Sequence, residues 1–90
     1  MFTFEWDEAK AAANLLKHGV SFDEAVTVFG DDMALTYSDT DHSETEDRSR
    51  TYGLSHKGKL LVVVHTERRN NIRLISARKA TRYEKTIYQG

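Results

Sequence analysis

The run "LLVVV" at residues 60–64 constrains the chain more than any other feature. Five apolar residues in succession, three of them β-branched, stand between two polar turn segments, "HKGK" and "RRNN". The run is far too short to span a bilayer, and β-branched residues favour an extended backbone. It lacks the alternation of a half-buried strand, so it reads as a strand buried on both faces, at the centre of a sheet. The chain has 90 residues, enough for one core, and such a domain buries roughly 60–65% of its unfolded surface. One domain over residues 1–90 is therefore expected.

Strands are expected on either side of this run. "RSRTYGLS" precedes the "HKGK" turn, and "IRLISA" follows "RRNN". "MALTY" and the alternating "FTFEW" read as two more strands. Three helices have end signals. The first runs over residues 8–17, with Asp7 as N-cap and Gly19 where a left-handed C-cap belongs. "SFDE" is a capping box, Ser21 with Glu24, opening a second helix that Gly30 stops. Thr81-x-x-Glu84 is another capping box, starting a C-terminal helix near Arg82. On the first helix Ala9, Ala12, Ala13 and Leu16 form an apolar stripe, and Lys10, Asn14, Lys17 and His18 form a polar one opposite. The order β-α-α-β-β-β-β-α predicts an α+β fold, an antiparallel meander with helices packed on it. The connection "SDTDHSETED" is polar and acidic. It is the part expected to be most mobile, and its tail "SETE" could form one capped turn.

The charges are segregated. Residues 1–47 hold 12 acids and 2 lysines, net −10, and residues 48–90 hold 2 acids and 11 Lys/Arg, net +9, which sum to the net −1 of the chain. The halves could pair on folding, or a basic face could bind phosphates. The prevalence of arginine favours phosphate, because its planar fork donates two parallel hydrogen bonds and its charge is not lost. The chain has no cysteine, which removes disulfides, thiolate metal sites and a cysteine nucleophile, and fits a reducing, cytoplasmic setting. "MFTFEWDEAK" turns acidic at once, unlike a signal peptide. GxGxxG, Walker A, GxSxG and HExxH are all absent, so nucleotide-cofactor and serine-hydrolase readings have no support. Asp39, Asp41, His42, Glu44 and Glu46 match no EF-hand or zinc spacing, and no metal or cofactor is expected. His65, in the central strand, reads as a hydrogen-bonded structural residue.

Arg48, Arg50, Tyr52 and Leu54 share a face if their strand is regular. Arg73 and Arg78 are five apart. They can meet on one face only if the strand ends or bulges between them. At this point the residues resemble a family. "FEWDEAKAAANLLKHGVSFDEAVTVF", "DHSETEDR" and "LLVVVHTERRNNIRLISARKATRYEKTIY" are similar, over nearly the whole chain, to the BrnT toxins of bacterial type II toxin–antitoxin systems. The most specific pieces are the junction Lys17-His18-Gly19-Val20-Ser21-Phe22 and the stretch Ile75-Ser76-Ala77-Arg78. The resemblance implies a RelE-like fold and a ribonuclease activity that inhibits translation. It also implies neutralisation by a ribbon-helix-helix antitoxin of the BrnA type, which supplies the operator-DNA contacts.

Metal-free RNA cleavage needs a base for the 2′-hydroxyl, cations for the crowded phosphate and an acid for the leaving 5′-oxygen. Arg48, Arg73 and Arg78 are the expected phosphate clamp, with Glu46 or His18 as base and Tyr83 or Tyr88 as acid or stacking group. Lys17, Arg50, Arg68, Arg69, Lys79 and Arg82 are expected to extend the RNA-binding surface. The competing class is a non-catalytic module that binds RNA or the antitoxin in operon autoregulation. A plain RNA-binding domain is less well supported, since the aromatic pattern of an RRM is missing.

Overall fold

The computed structural model describes residues 2–39 and 47–89. Glu46 and the turn expected over "SETE" lie outside the described residues. The elements are β1 (Thr3–Glu5), α1 (Glu8–His18), α2 (Phe22–Val26), a 3₁₀ turn (Thr27–Gly30), β2 (Leu35–Ser38), β3 (Arg48–Leu54), β4 (Leu60–Arg68), β5 (Asn71–Lys79) and α3 (Arg82–Gln89). They form one five-stranded sheet in the order β1-β5-β4-β3-β2. The pairs from β2 to β5 are antiparallel, but β1 lies parallel to β5. The fold is α+β as expected, and the sheet is mixed rather than a purely antiparallel meander. β4, which carries the apolar run, is central. No described helix is long and apolar enough to cross a membrane.

The caps explain the helix ends. The Asp7 side chain accepts from the Lys10 backbone N–H at 3.1 Å, and Gly19 closes α1 at φ 70°, a conformation that glycine adopts without a Cβ penalty. Ser21 Oγ accepts from the Glu24 N–H at 3.0 Å. The Glu24 carboxylate does not complete the box. It accepts instead from Ser55 Oγ at 2.7 Å, tying α2 to the β3–β4 turn. The box at α3 is reciprocal: Glu84 N–H donates to Thr81 Oγ1 at 3.1 Å, and Thr81 N–H donates to Glu84 Oε1 at 2.9 Å.

The helices cover one face of the sheet. Val20, Phe22, Ala25 and Val28 pack there on Leu61, Val63, Ile72, Leu74 and Ala77. Gly53 lets the 3₁₀ turn approach β3, because a Cβ at that position would stand 2.6 Å from Val28 Cγ1. The orientation of α1 departs from the expectation, although Lys10 and Lys17 are exposed as the polar stripe requires. Ala9, Ala12 and Ala13 are exposed and Leu16 is 92% exposed, while Asn14 is 7% exposed and faces the sheet. Asn14 Nδ2 donates to the Val20 and Ala77 carbonyls at 3.0 and 2.8 Å, and its Oδ1 accepts from the Ala77 N–H at 3.1 Å. A polar side chain is stable there because it satisfies backbone groups that would otherwise be buried without partners.

His65 also points into this core. It is fully buried, its Nε2 bonds Thr51 Oγ1 at 2.7 Å, and its ring stands edge-on to Phe29 at 5.0 Å. Desolvation pushes its pKa down to about 4, so the folded chain holds it neutral. An unfolded chain takes up a proton near pH 6.5, which the folded chain resists until about pH 4. The stability this group contributes is therefore present above pH 6.5 and is lost as pH falls towards 4, by up to about 3 kcal/mol. Denaturant melts between pH 7 and 4 should show this slope, and His65→Gln should flatten it.

Candidate nucleic-acid interface

The face of the sheet away from α1 and α2 gathers the arginines. Register places Arg48 opposite Thr66 and Thr66 opposite Arg73, Arg50 opposite Val64, and Tyr52 opposite Val62 with Val62 opposite Arg78. Residues directly opposite one another share a face, so four arginines from β3 and β5 stand on one surface. A register shift makes this possible. His65 pairs with Leu74 while Val64 pairs with Ser76, so Ile75 opposes no residue and the strand bulges. That extra residue brings Arg73 and Arg78 to the same side.

Among the described residues, carboxylates hold at least three of these arginines. Arg73 Nη1 lies 2.7 Å from Glu5 Oε2, and the same carboxylate also accepts from Asn71 Nδ2. Those two hydrogen bonds, Arg73 first, draw the Glu5 pKa down. Arg50 donates to Asp39 Oδ1 at 3.2 Å and to the Tyr52 hydroxyl at 3.4 Å. Arg78 makes a two-pronged pair with Glu84, at 2.7 and 2.8 Å, which holds the Glu84 carboxyl at about 2. Arg50 and Arg78 stand on the same face with β4 between their strands, near enough for the Arg50 charge to be felt at Arg78. Two of the three pairs, Arg73–Glu5 and Arg50–Asp39, join the acidic half of the sequence to the basic half. Pairing between the halves is thus real, and much of it happens on this face, with Lys57–Glu24 a further pair at the β3–β4 turn.

The other expected residues take varied places. Arg68 ends β4 and adds to the positive field around Glu5, and Arg69 follows it in the hairpin at φ 59°. Lys79 ends β5, and Arg82 begins α3. A cavity of about 450 Å³ between α3 and the β3–β4 hairpin is lined by Lys59, Lys79, Lys85 and Tyr88 among others. Tyr83 is 74% exposed on α3. Tyr88 donates its hydroxyl to Asp31 Oδ2 at 2.6 Å, which raises its pKa. Lys17 and His18 end α1, which packs on β5 from the helix side. They are not gathered with the arginines. Among the described residues, no cluster of three or more His, Asp and Glu side chains could hold a metal ion.

Sequence reasoning missed Glu5, Asp39 and Thr66 as members of this surface, and took Glu84 only for a cap. Glu84 was visible in outline, because a carboxylate six residues after Arg78, in the first turn of a helix, can fold back onto it. Glu5 had no local signal, since its place depends on β1 joining β5 in parallel.

A search of the curated proteins finds no match. The crystal structure of the Brucella abortus ribonuclease toxin BrnT is similar, with a TM-score of 0.69 and 20% sequence identity, over 91% of this chain and 100% of that chain. At this identity the likeness shows a shared fold. The family model described as "Ribonuclease toxin, BrnT, of type II toxin-antitoxin system" matches residues 6–84. With nearly the whole length matched, the chain belongs to the BrnT family of ribonuclease toxins of type II toxin–antitoxin systems.

Proposed function

We propose that the chain is a metal-independent, RelE-like endoribonuclease that inhibits translation in the cytoplasm by cleaving RNA, free or on the ribosome. A BrnA-like ribbon-helix-helix antitoxin neutralises it and supplies the contacts to operator DNA. The observation that carries this reading is the set of four arginines, Arg48, Arg50, Arg73 and Arg78, on one sheet face. Such a face stabilises the dianionic character of a phosphate under attack by the 2′-oxygen, without a metal ion. Arg48, Arg73 and Arg78 clamp the phosphate, and Arg50 stands between them. Arg68, Arg69, Lys79 and Arg82 extend the charge along the bound strand. Glu5 joins Glu46 as a candidate base. While Arg73 holds it, its carboxylate is ionised but weakly basic. When a phosphate takes Arg73, that restraint is relieved and the carboxylate becomes more basic. His18 and Lys17 lie on the helix side and fit this role less well. Tyr83, exposed on α3, suits stacking or proton donation, whereas the Tyr88 hydroxyl is already committed to Asp31.

A second reading has its own support. Since carboxylates already hold at least three of the arginines, an acidic antitoxin segment could take the same groups with no chemistry following. Purified protein incubated with single-stranded RNA in EDTA separates the two. The catalytic reading expects cleavage that leaves 5′-hydroxyl ends and stops when the RNA is replaced by its 2′-O-methyl form. Binding without cleavage, on free RNA and on ribosomes alike, would leave the module reading. Cleavage only with added magnesium would contradict metal independence.

A further inference from the structure

Thr66 is the one hydroxyl of the described sheet that is buried and makes no hydrogen bond. The residue is 2% exposed, and its Oγ1 has no partner. Thr51, on the opposite face, shows the usual solution. Its hydroxyl bonds both Thr36 Oγ1 and His65 Nε2, at 2.8 and 2.7 Å. Buried hydroxyls are normally satisfied in this way, and one that is not asks for a cause. Packing supplies none. The neighbours of Thr66 on its own strand face are Val64 and Arg68, and a valine would fill the same shape without an idle polar atom.

Position supplies the cause. Thr66 stands directly between Arg48 on β3 and Arg73 on β5. Glu5, paired beside Arg73 in that row, is occupied by Arg73 and Asn71. We propose that the Thr66 hydroxyl donates a hydrogen bond to a phosphate oxygen of the RNA seated between Arg48 and Arg73. Guanidinium forks grip two oxygens of a phosphate in their own planes. A hydroxyl on the floor between them is free to rotate towards a third. The inference rests on the ribonuclease reading and names the floor of its phosphate seat.

The test uses Thr66→Val and Thr66→Ser in the full chain, with cleavage of an RNA oligonucleotide, binding of its 2′-O-methyl analogue, binding of inorganic phosphate, and thermal melts. Thr66→Val is expected to fold and to melt at or above the wild-type temperature. It should lose roughly 10–100-fold in kcat/KM, the size of a hydrogen bond to a charged group, and bind both anionic probes more weakly. Thr66→Ser should restore both. Wild-type cleavage by Thr66→Val overturns the proposal. So does a fall in its melting temperature alongside its activity, because the hydroxyl would then be structural. If the wild type itself cleaves no RNA, the ribonuclease reading is what fails. Thr66 is then judged on the two anions alone: weaker binding by Thr66→Val supports the seat, and equal binding overturns it.

Discussion

Replacing Arg78 by alanine should lower RNA cleavage by about 10²–10³-fold, the usual cost of removing one electrostatic contact to a transition state. The same change should loosen α3. Arg78 holds Glu84 with two charged hydrogen bonds, and Glu84 also accepts from the Thr81 N–H at the start of that helix. Without its partner the buried carboxylate is left with that single N–H, at an expected loss of about 1–3 kcal/mol. The pH dependence identifies the pair. With Arg78 present the Glu84 carboxyl is held at about 2, below the ordinary value of an unfolded glutamate, about 4.3. Its contribution is fully present above that ordinary value and is lost as pH falls through about 2. In Arg78→Ala that acid-side loss should shrink. Arg78→Lys keeps the charge but not the fork and should fall between wild type and alanine in rate. Initial cleavage rates beside circular-dichroism melts check both parts. A folded Arg78→Ala protein with wild-type rates would remove this residue from the site.

The largest effect on stability belongs to Asn14→Ala. Three hydrogen bonds from one side chain join α1, the turn at Val20 and the β5 backbone at Ala77. Removing them strands buried backbone groups, at about 2–4 kcal/mol in total. For a domain of this size the melting temperature should drop by roughly 10–20 °C. Leu16→Ala, on the same helix, should change stability by less than about 0.5 kcal/mol, because that side chain is exposed. The opposite pattern, a large loss at Leu16 and none at Asn14, would mean that α1 packs by its alanine–leucine stripe.

The misreading of α1 has a physical reason. Periodicity assigns polar residues to water, and on this helix the polar and apolar stripes are equally regular. Alanine gains little from burial, so three alanines do not decide which side packs. One asparagine that satisfies three backbone groups does. Elements with local signals were legible: the caps at Asp7, Ser21 and Thr81, the glycine stop of α1, and the central strand with its two turns. The parallel docking of β1 was not, because nothing near Thr3–Glu5 says which strand edge is open to it. The arginine face was half legible. Alternation placed Arg48 and Arg50 together, and the five-residue spacing of Arg73 and Arg78 demanded a bulge, which the register shift at Val64/His65 provides. The carboxylates that complete the face come from far along the chain, as with Glu5, 68 residues before Arg73. No motif records such a pairing.

The most direct measurement is a backbone and arginine side-chain NMR titration with a 2′-O-methyl RNA that binds but is not cleaved. Perturbations centred on Arg48, Arg50, Thr66, Arg73 and Arg78, with release of the Arg78–Glu84 pair, are the expected result. Perturbations centred on α1, at Leu16, Lys17 and His18, with the arginine face unmoved, would contradict the assignment of the phosphate site to this face of the sheet.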